Sequence, residues 1–135
     1  MSQTIKEIYS LNTDNQNDGP EYALDKWYDI LINKTADEID LEDVSRMLSQ
    51  NVFIELGIKR AMEILSEDPI AGVFYDGQLL GLLSAVDLDD VKDLSQLELL
   101  LQKINNNVSN LDWSSEEDQI EYSELLTNFM NKINL

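Results

Sequence analysis

The sequence contains no cysteine and no histidine, and only nine basic residues stand against 27 acidic ones. Without cysteine there can be no disulfide, no thiolate metal site and no thiol nucleophile, a composition suited to a reducing cytoplasm. Without histidine the commonest general base and metal ligand is also missing, which leaves Asp, Glu, Lys, Tyr and Ser for any catalysis. A binding protein is expected, not an enzyme, and no cofactor is expected. Glycosidases do work with two carboxylates, but 27 acids offer no way to single out a pair by position. No apolar run approaches the ~20 residues that span a bilayer, and Met1-Ser2-Gln3-Thr4 lead into a polar segment without a signal-peptide pattern. With so few bases the net charge is −18 and the pI about 4.1. Nucleic acid and anionic membrane are therefore poor partners, whereas a basic protein is a good one.

The acidity is not confined to a tail. Residues 1–86 hold 16 acids and 6 bases, and residues 87–135 hold 11 and 3. Acids are interleaved with apolar residues throughout, so the compact state carries self-repulsion that counterions or a basic partner would relieve. At 135 residues the chain has the size of one domain with a single core.

Apolar spacing along the chain is helical almost everywhere. Thr4-Ile5-Lys6-Glu7 has the form of a capping box and predicts a short first helix. Asn12 to Pro20, rich in Asn, Asp and Gly, reads as a flexible acidic linker, so residues 1–20 are expected to comprise the short N-terminal helix and this linker, before a helical domain over 21–135. A helix over about Glu21–Asn33 carries Leu24, Trp27, Tyr28 and Leu31. Asp40 can cap the next, with Leu41, Val44, Met47 and Leu48 on one face. A third runs over about Val52–Ser66 and stops before Pro69, with Gly57 allowing a close neighbour. Asp76 can cap a leucine-rich helix through Leu79, Leu80, Leu82, Leu83 and Val86, apolar on most sides and hence central. Ser95-Gln96-Leu97-Glu98 and Ser114-Ser115-Glu116-Glu117 are two further capping boxes, each opening a helix. The expectation is all-α: a compact single-domain bundle of about six to seven helices, with Val73-Phe74-Tyr75 the one short β-prone run.

Motifs for specific chemistry are few. Asp14-Asn15-Gln16-Asn17-Asp18-Gly19 begins like a calcium loop, but Gln16, Glu21 and Asp25 stand where a third ligand, an apolar residue and a bidentate Glu belong. Asp87-Leu88-Asp89-Asp90 fails the same test at Val91 and Lys92. Gly72 and Gly77 bracket no phosphate-binding pattern, and Lys59-Arg60 is the only adjacent pair of bases. Two acidic stretches remain: Asp87, Asp89, Asp90 and Asp93 between two helices, and Asp112 to Glu124, with six acids and no base. Tyr75, Trp113 and Tyr122 lie beside these runs and are the aromatic types that anchor interfaces; of them Trp113 is expected to be partly exposed.

The segment Ile39-Asp40-Leu41-Glu42-Asp43-Val44-Ser45-Arg46-Met47-Leu48-Ser49-Gln50-Asn51, the apolar helix from Phe53 to Leu65, and Asp68-Pro69-Ile70-Ala71-Gly72-Val73-Phe74-Tyr75-Asp76-Gly77-Gln78-Leu79-Leu80 together resemble the contact-dependent growth inhibition immunity proteins. The resemblance covers about residues 35 to 90. It implies a cytoplasmic protein that binds and neutralises the toxic C-terminal domain of a contact-delivered effector, commonly a nuclease with a basic cleft. It also implies structural roles for the motif itself: a carboxylate partner for Arg46, turn positions for Gly72 and Gly77, and Tyr75 either packed or turned outward. The contact residues expected on this reading are Asp87, Asp89, Asp90, Asp93, Trp113, Glu116, Glu117 and Asp118. The rival readings are an acidic nucleic-acid mimic that inhibits a DNA-binding protein, and a calcium-binding module built on the Asp14 loop. Oligomeric state is left open by the sequence.

Overall fold

In the computed structural model, which describes residues 3–9, 23–113 and 115–134, the helical spacing becomes seven α-helices, with no strand among those residues. They are α1 (Ile5–Ile8), α2 (Ala23–Leu31), α3 (Leu41–Gln50), α4 (Ile54–Glu67), α5 (Gln78–Ser84), α6 (Leu94–Asn107) and α7 (Glu116–Lys132). Single 3-10 turns lie at Ala36–Glu38, Leu88–Asp90 and Val108–Asn110. The all-α expectation holds. The β-prone run at Val73 is an irregular loop, and one isolated bridge joins Thr4 to Thr35. The expected linker from Asn12 to Pro20, and with it most of the Asp14 loop, lies outside the described residues, as does the Leu24 side chain.

Helix starts follow local hydrogen-bonding rules, although not always at the expected residue. Thr4 caps α1 in a full capping box with Glu7, and Asp40 caps α3 by accepting from the Asp43 N–H at 2.8 Å. Three caps differ from expectation. Asp93 caps α6 in place of Ser95, accepting from the Gln96 N–H at 3.1 Å. Ser115 caps α7 in place of Ser114, accepting from the Asp118 N–H at 3.1 Å. Gly77, not Asp76, precedes α5, and no side chain caps that helix. A run of several Ser and Asp residues offers competing caps, and the turn entering the helix decides among them. Helix α4 starts at Ile54, two residues later than predicted, because Asn51 and Phe53 both take left-handed backbone angles (φ 56° and 46°) that break the preceding turn.

The core is one cluster of apolar side chains drawn from all seven helices, and Ile5 of α1 is fully buried in it. Helix α5 is central, with Leu79, Leu80 and Leu83 buried against α3, α4 and α7. Helices α3 and α4 meet at Gly57, where a Cβ would lie 3.3 Å from Met47 Cβ. Two pairs of contacts set the helix directions. Lys92 pairs with Glu55 and Lys103 donates to the Ser66 carbonyl, so α4 and α6 run side by side in the same direction. Tyr122 abuts Gly77 and Lys132 donates to the Ser84 and Val86 carbonyls, so α5 and α7 are also parallel to each other. The short connection from α6 to α7 makes those two antiparallel. One end of the bundle, the Pro69 end, therefore gathers the C-termini of α4 and α6 with the N-termini of α5 and α7. The Asp87 end holds the opposite termini.

A buried polar centre ties the N-terminal half together. Asp43, only 6 % exposed, accepts from the Trp27 indole N–H at 3.0 Å, the Lys34 ammonium at 2.6 Å and the Asp40 N–H at 3.3 Å. Burial opposes ionisation, but the bonds from Lys34, Trp27 and Asp40 outweigh it and hold the carboxyl below its ordinary range. The same bond to Asp43 raises the Lys34 ammonium above its usual value. The Arg46 guanidinium, expected beside a carboxylate, stands over the Trp27 ring at 5.8 Å from its centroid.

Candidate functional site

The acids singled out from the sequence divide between the two ends of the bundle. At the Asp87 end, Asp87 caps the 3-10 turn by accepting from the Asp89 N–H at 3.0 Å, and Asp93 caps α6. Asp89 is exposed and Asp90 half-buried. At the Pro69 end, Glu116 and Glu117 are exposed and Asp118 is half-buried, all three in the first turn of α7. Acids at helix N-termini are favoured by the helix dipole, so part of this charge is explained by the fold alone. The 14 residues of α6 separate the clusters by ~20 Å. They are two patches, not one.

Between α4 and α6 lies a groove of about 720 Å³, floored by Ile58, Met62 and Leu100 and edged by Lys59, Lys92 and Lys103. It also carries Glu55, Glu63, Glu67 and Asp93, so it is close to neutral despite those lysines. Among the described residues no three acids converge on a point that could hold a metal ion.

Among the described residues, the most exposed aromatic side chains belong to the loop between α4 and α5. Phe74 is 85 % and Tyr75 65 % exposed, with Val73 beside them at 38 %. The loop backbone is nonetheless tightly held. Gln78 folds back so that its Oε1 accepts from the Val73 N–H at 2.8 Å and the Phe74 N–H at 2.9 Å. The Gly77 N–H donates to Ile70 O at 2.8 Å and the Leu79 N–H to Ala71 O at 3.0 Å. Gly72 has no room for a side chain, since a Cβ there would lie 1.8 Å from Tyr75 O. Gly77 has φ 87°, and a Cβ would lie 2.8 Å from the Tyr122 ring. Tyr122, buried, donates its hydroxyl to Pro69 O at 2.6 Å. Burial, assisted by the nearby Asp68 carboxylate, pushes that phenol well above its ordinary range.

Tyr122 joins this loop to the second acidic patch. Its ring packs on Trp113 at 5.0 Å between centroids, and Trp113 is half-buried with its indole N–H donated to Val108 O at 2.8 Å. Asp118 lies one turn before Tyr122 on the same face of α7. Glu116 and Glu117 lie on other faces of α7, but Trp113 and Asp118 are brought to the foot of the aromatic loop, with Asp68 and Asp76 at its two sides in sequence. Asp87, Asp89, Asp90 and Asp93 are not. Sequence reasoning placed Gly72 and Gly77 correctly as turn residues but did not single out Phe74 or Gln78. The available signal was three consecutive large apolar residues inside a Gly- and Asp-bounded turn, where a loop has no core to place them in.

A search of the curated proteins finds no match to the chain. The model of one protein family, described as CDI immunity proteins, matches residues 7–102, a span that includes the aromatic loop and the Asp87 patch and ends before Trp113 and the start of α7.

Proposed function

The chain belongs to the family of CDI immunity proteins, and from that premise we propose that it binds and neutralises the toxic C-terminal domain of a contact-dependent growth inhibition effector in the cytoplasm. On this reading the toxin is a nuclease, and the immunity protein presents carboxylates where the nucleic-acid backbone would lie, closing the basic cleft without any reaction of its own. The observation that supports it is the excess of 27 acids over nine bases, most of it displayed on the surface. Such a surface accelerates encounter with a basic partner and is relieved of self-repulsion on binding it. Both acidic patches are available for this contact, the Asp87, Asp89, Asp90 and Asp93 patch and the one at Glu116, Glu117 and Asp118 beside Trp113.

The test is co-expression with the polypeptide encoded immediately upstream. Co-purification of a tight complex, together with restored growth of cells making that polypeptide, is the expected result. Absence of both complex and rescue overturns the reading. If a complex forms, nuclease activity of the separated toxin, assayed on RNA and DNA with and without this chain, tests the finer statement about its chemistry.

A further inference from the structure

We infer that Phe74 and Tyr75 form the apolar anchor of the toxin interface, seated in an arginine-bearing socket on the toxin domain. This rests on the functional reading above and names the surface through which it operates.

Three observations carry it. First, the two rings are exposed to 85 % and 65 %, and neither takes part in the core cluster. Exposed aromatic surface of this kind is unfavourable in water and is the usual composition of interface anchors. Second, the loop is preorganised. Gln78 accepts two consecutive backbone N–H groups, Gly72 and Gly77 exclude side chains, and Tyr122 braces the turn from α7. A loop already held in one conformation loses little entropy on binding, so its contacts are retained as affinity. Third, the surroundings select the partner. Asp68 and Asp76 flank the loop in sequence, and Asp118 lies one turn before Tyr122 on the same face of α7. Carboxylates and aromatic faces both attract guanidinium groups, the carboxylate by charge and the ring by its quadrupole. A socket that combines apolar walls with arginine matches both, and a basic nucleic-acid cleft supplies such arginines. A second copy of this chain, with net charge −18, does not.

The experiment compares the full-length chain with a Phe74→Ser, Tyr75→Ser double variant against the toxin domain separated from the co-purified complex, by binding kinetics at two salt concentrations. The wild-type chain is expected to bind tightly. The double variant is expected to dissociate about a hundredfold faster, with an association rate within about threefold of wild type, because the anchor acts after encounter while charge governs encounter. Its thermal midpoint should match that of the wild type. If the double variant melts early, Phe74→Ala alone replaces it, and about a tenfold faster dissociation is then the expected result. Wild-type binding with unchanged dissociation of the variant overturns the anchor while leaving the immunity function intact. No binding by the wild-type chain overturns both. Concentration-dependent self-association abolished by the double substitution, with toxin affinity unchanged, assigns the patch to a second copy and likewise overturns the inference.

Discussion

Replacing Asp43 by alanine isolates the buried polar centre, because that one carboxylate serves three donors. The Trp27 indole sits at 3.0 Å, the Lys34 ammonium at 2.6 Å and the Asp40 N–H at 3.3 Å. Trp27 is buried, so its N–H would be left without an acceptor at a cost of about 1–3 kcal/mol. The Lys34 side chain is a quarter exposed and can turn to water, which limits its share to about 1 kcal/mol. Losing one half of the α3 capping box adds about 0.5 kcal/mol. Removing one acid from a chain of net charge −18 offsets a little of this. The expected loss is about 3 kcal/mol, or roughly 10 °C in thermal midpoint for a domain of this size. Asp43→Asn keeps an acceptor for Trp27 and should lose only about half as much. Urea titration and thermal melting, followed by circular dichroism, measure both variants. A loss below about 1 kcal/mol for Asp43→Ala, or equal losses for the two variants, would refute the argument. The pH dependence adds a sign. Asp43 titrates below its ordinary value in the folded state, so its contribution is present above the unfolded-chain pKa and disappears as pH falls through the folded one. The stability gap between wild type and Asp43→Asn should therefore be constant near neutrality and close in acid, below about pH 4.

Two further outcomes follow from the charge and the loop. Charge reversal at Asp89 and Asp90, or separately at Glu116 and Glu117, should slow association with the toxin and flatten its salt dependence; stopped-flow mixing at two ionic strengths measures this, and unchanged kinetics remove that patch from the interface. Gly77→Ala places a Cβ at φ 87° and 2.8 Å from the Tyr122 ring, and should cost about 2 kcal/mol or more in urea unfolding, whereas a neutral result would mean that the turn relaxes without strain.

Much of this protein was legible from local chemistry. The apolar stripes of α3, α4, α6 and α7, the caps at Thr4 and Asp40, the central leucine helix and the close approach at Gly57 all depend on residues within a turn or two of one another. The family resemblance over about residues 35 to 90 lies inside the span the family model matches. The partial exposure of Trp113 also follows expectation. Where the local signals competed, sequence reasoning slipped by one or two residues, as with Asp93 against Ser95 and Ser115 against Ser114, since several adjacent side chains can make the same capping bond.

The sequence by itself determined that the chain is helical, that its surface is acidic, and that cysteine and histidine chemistry are absent, because periodicity and composition need no knowledge of distant partners. Only the tertiary structure decided that Asp43 is shared by Trp27 and Lys34, 16 and 9 residues away, that the two acidic patches face opposite ends of the bundle, and that Phe74 and Tyr75 stand exposed on a loop braced by Tyr122, 53 residues from Pro69. Those features arise from contacts between elements remote in sequence, whose pairing is selected by how the whole core packs.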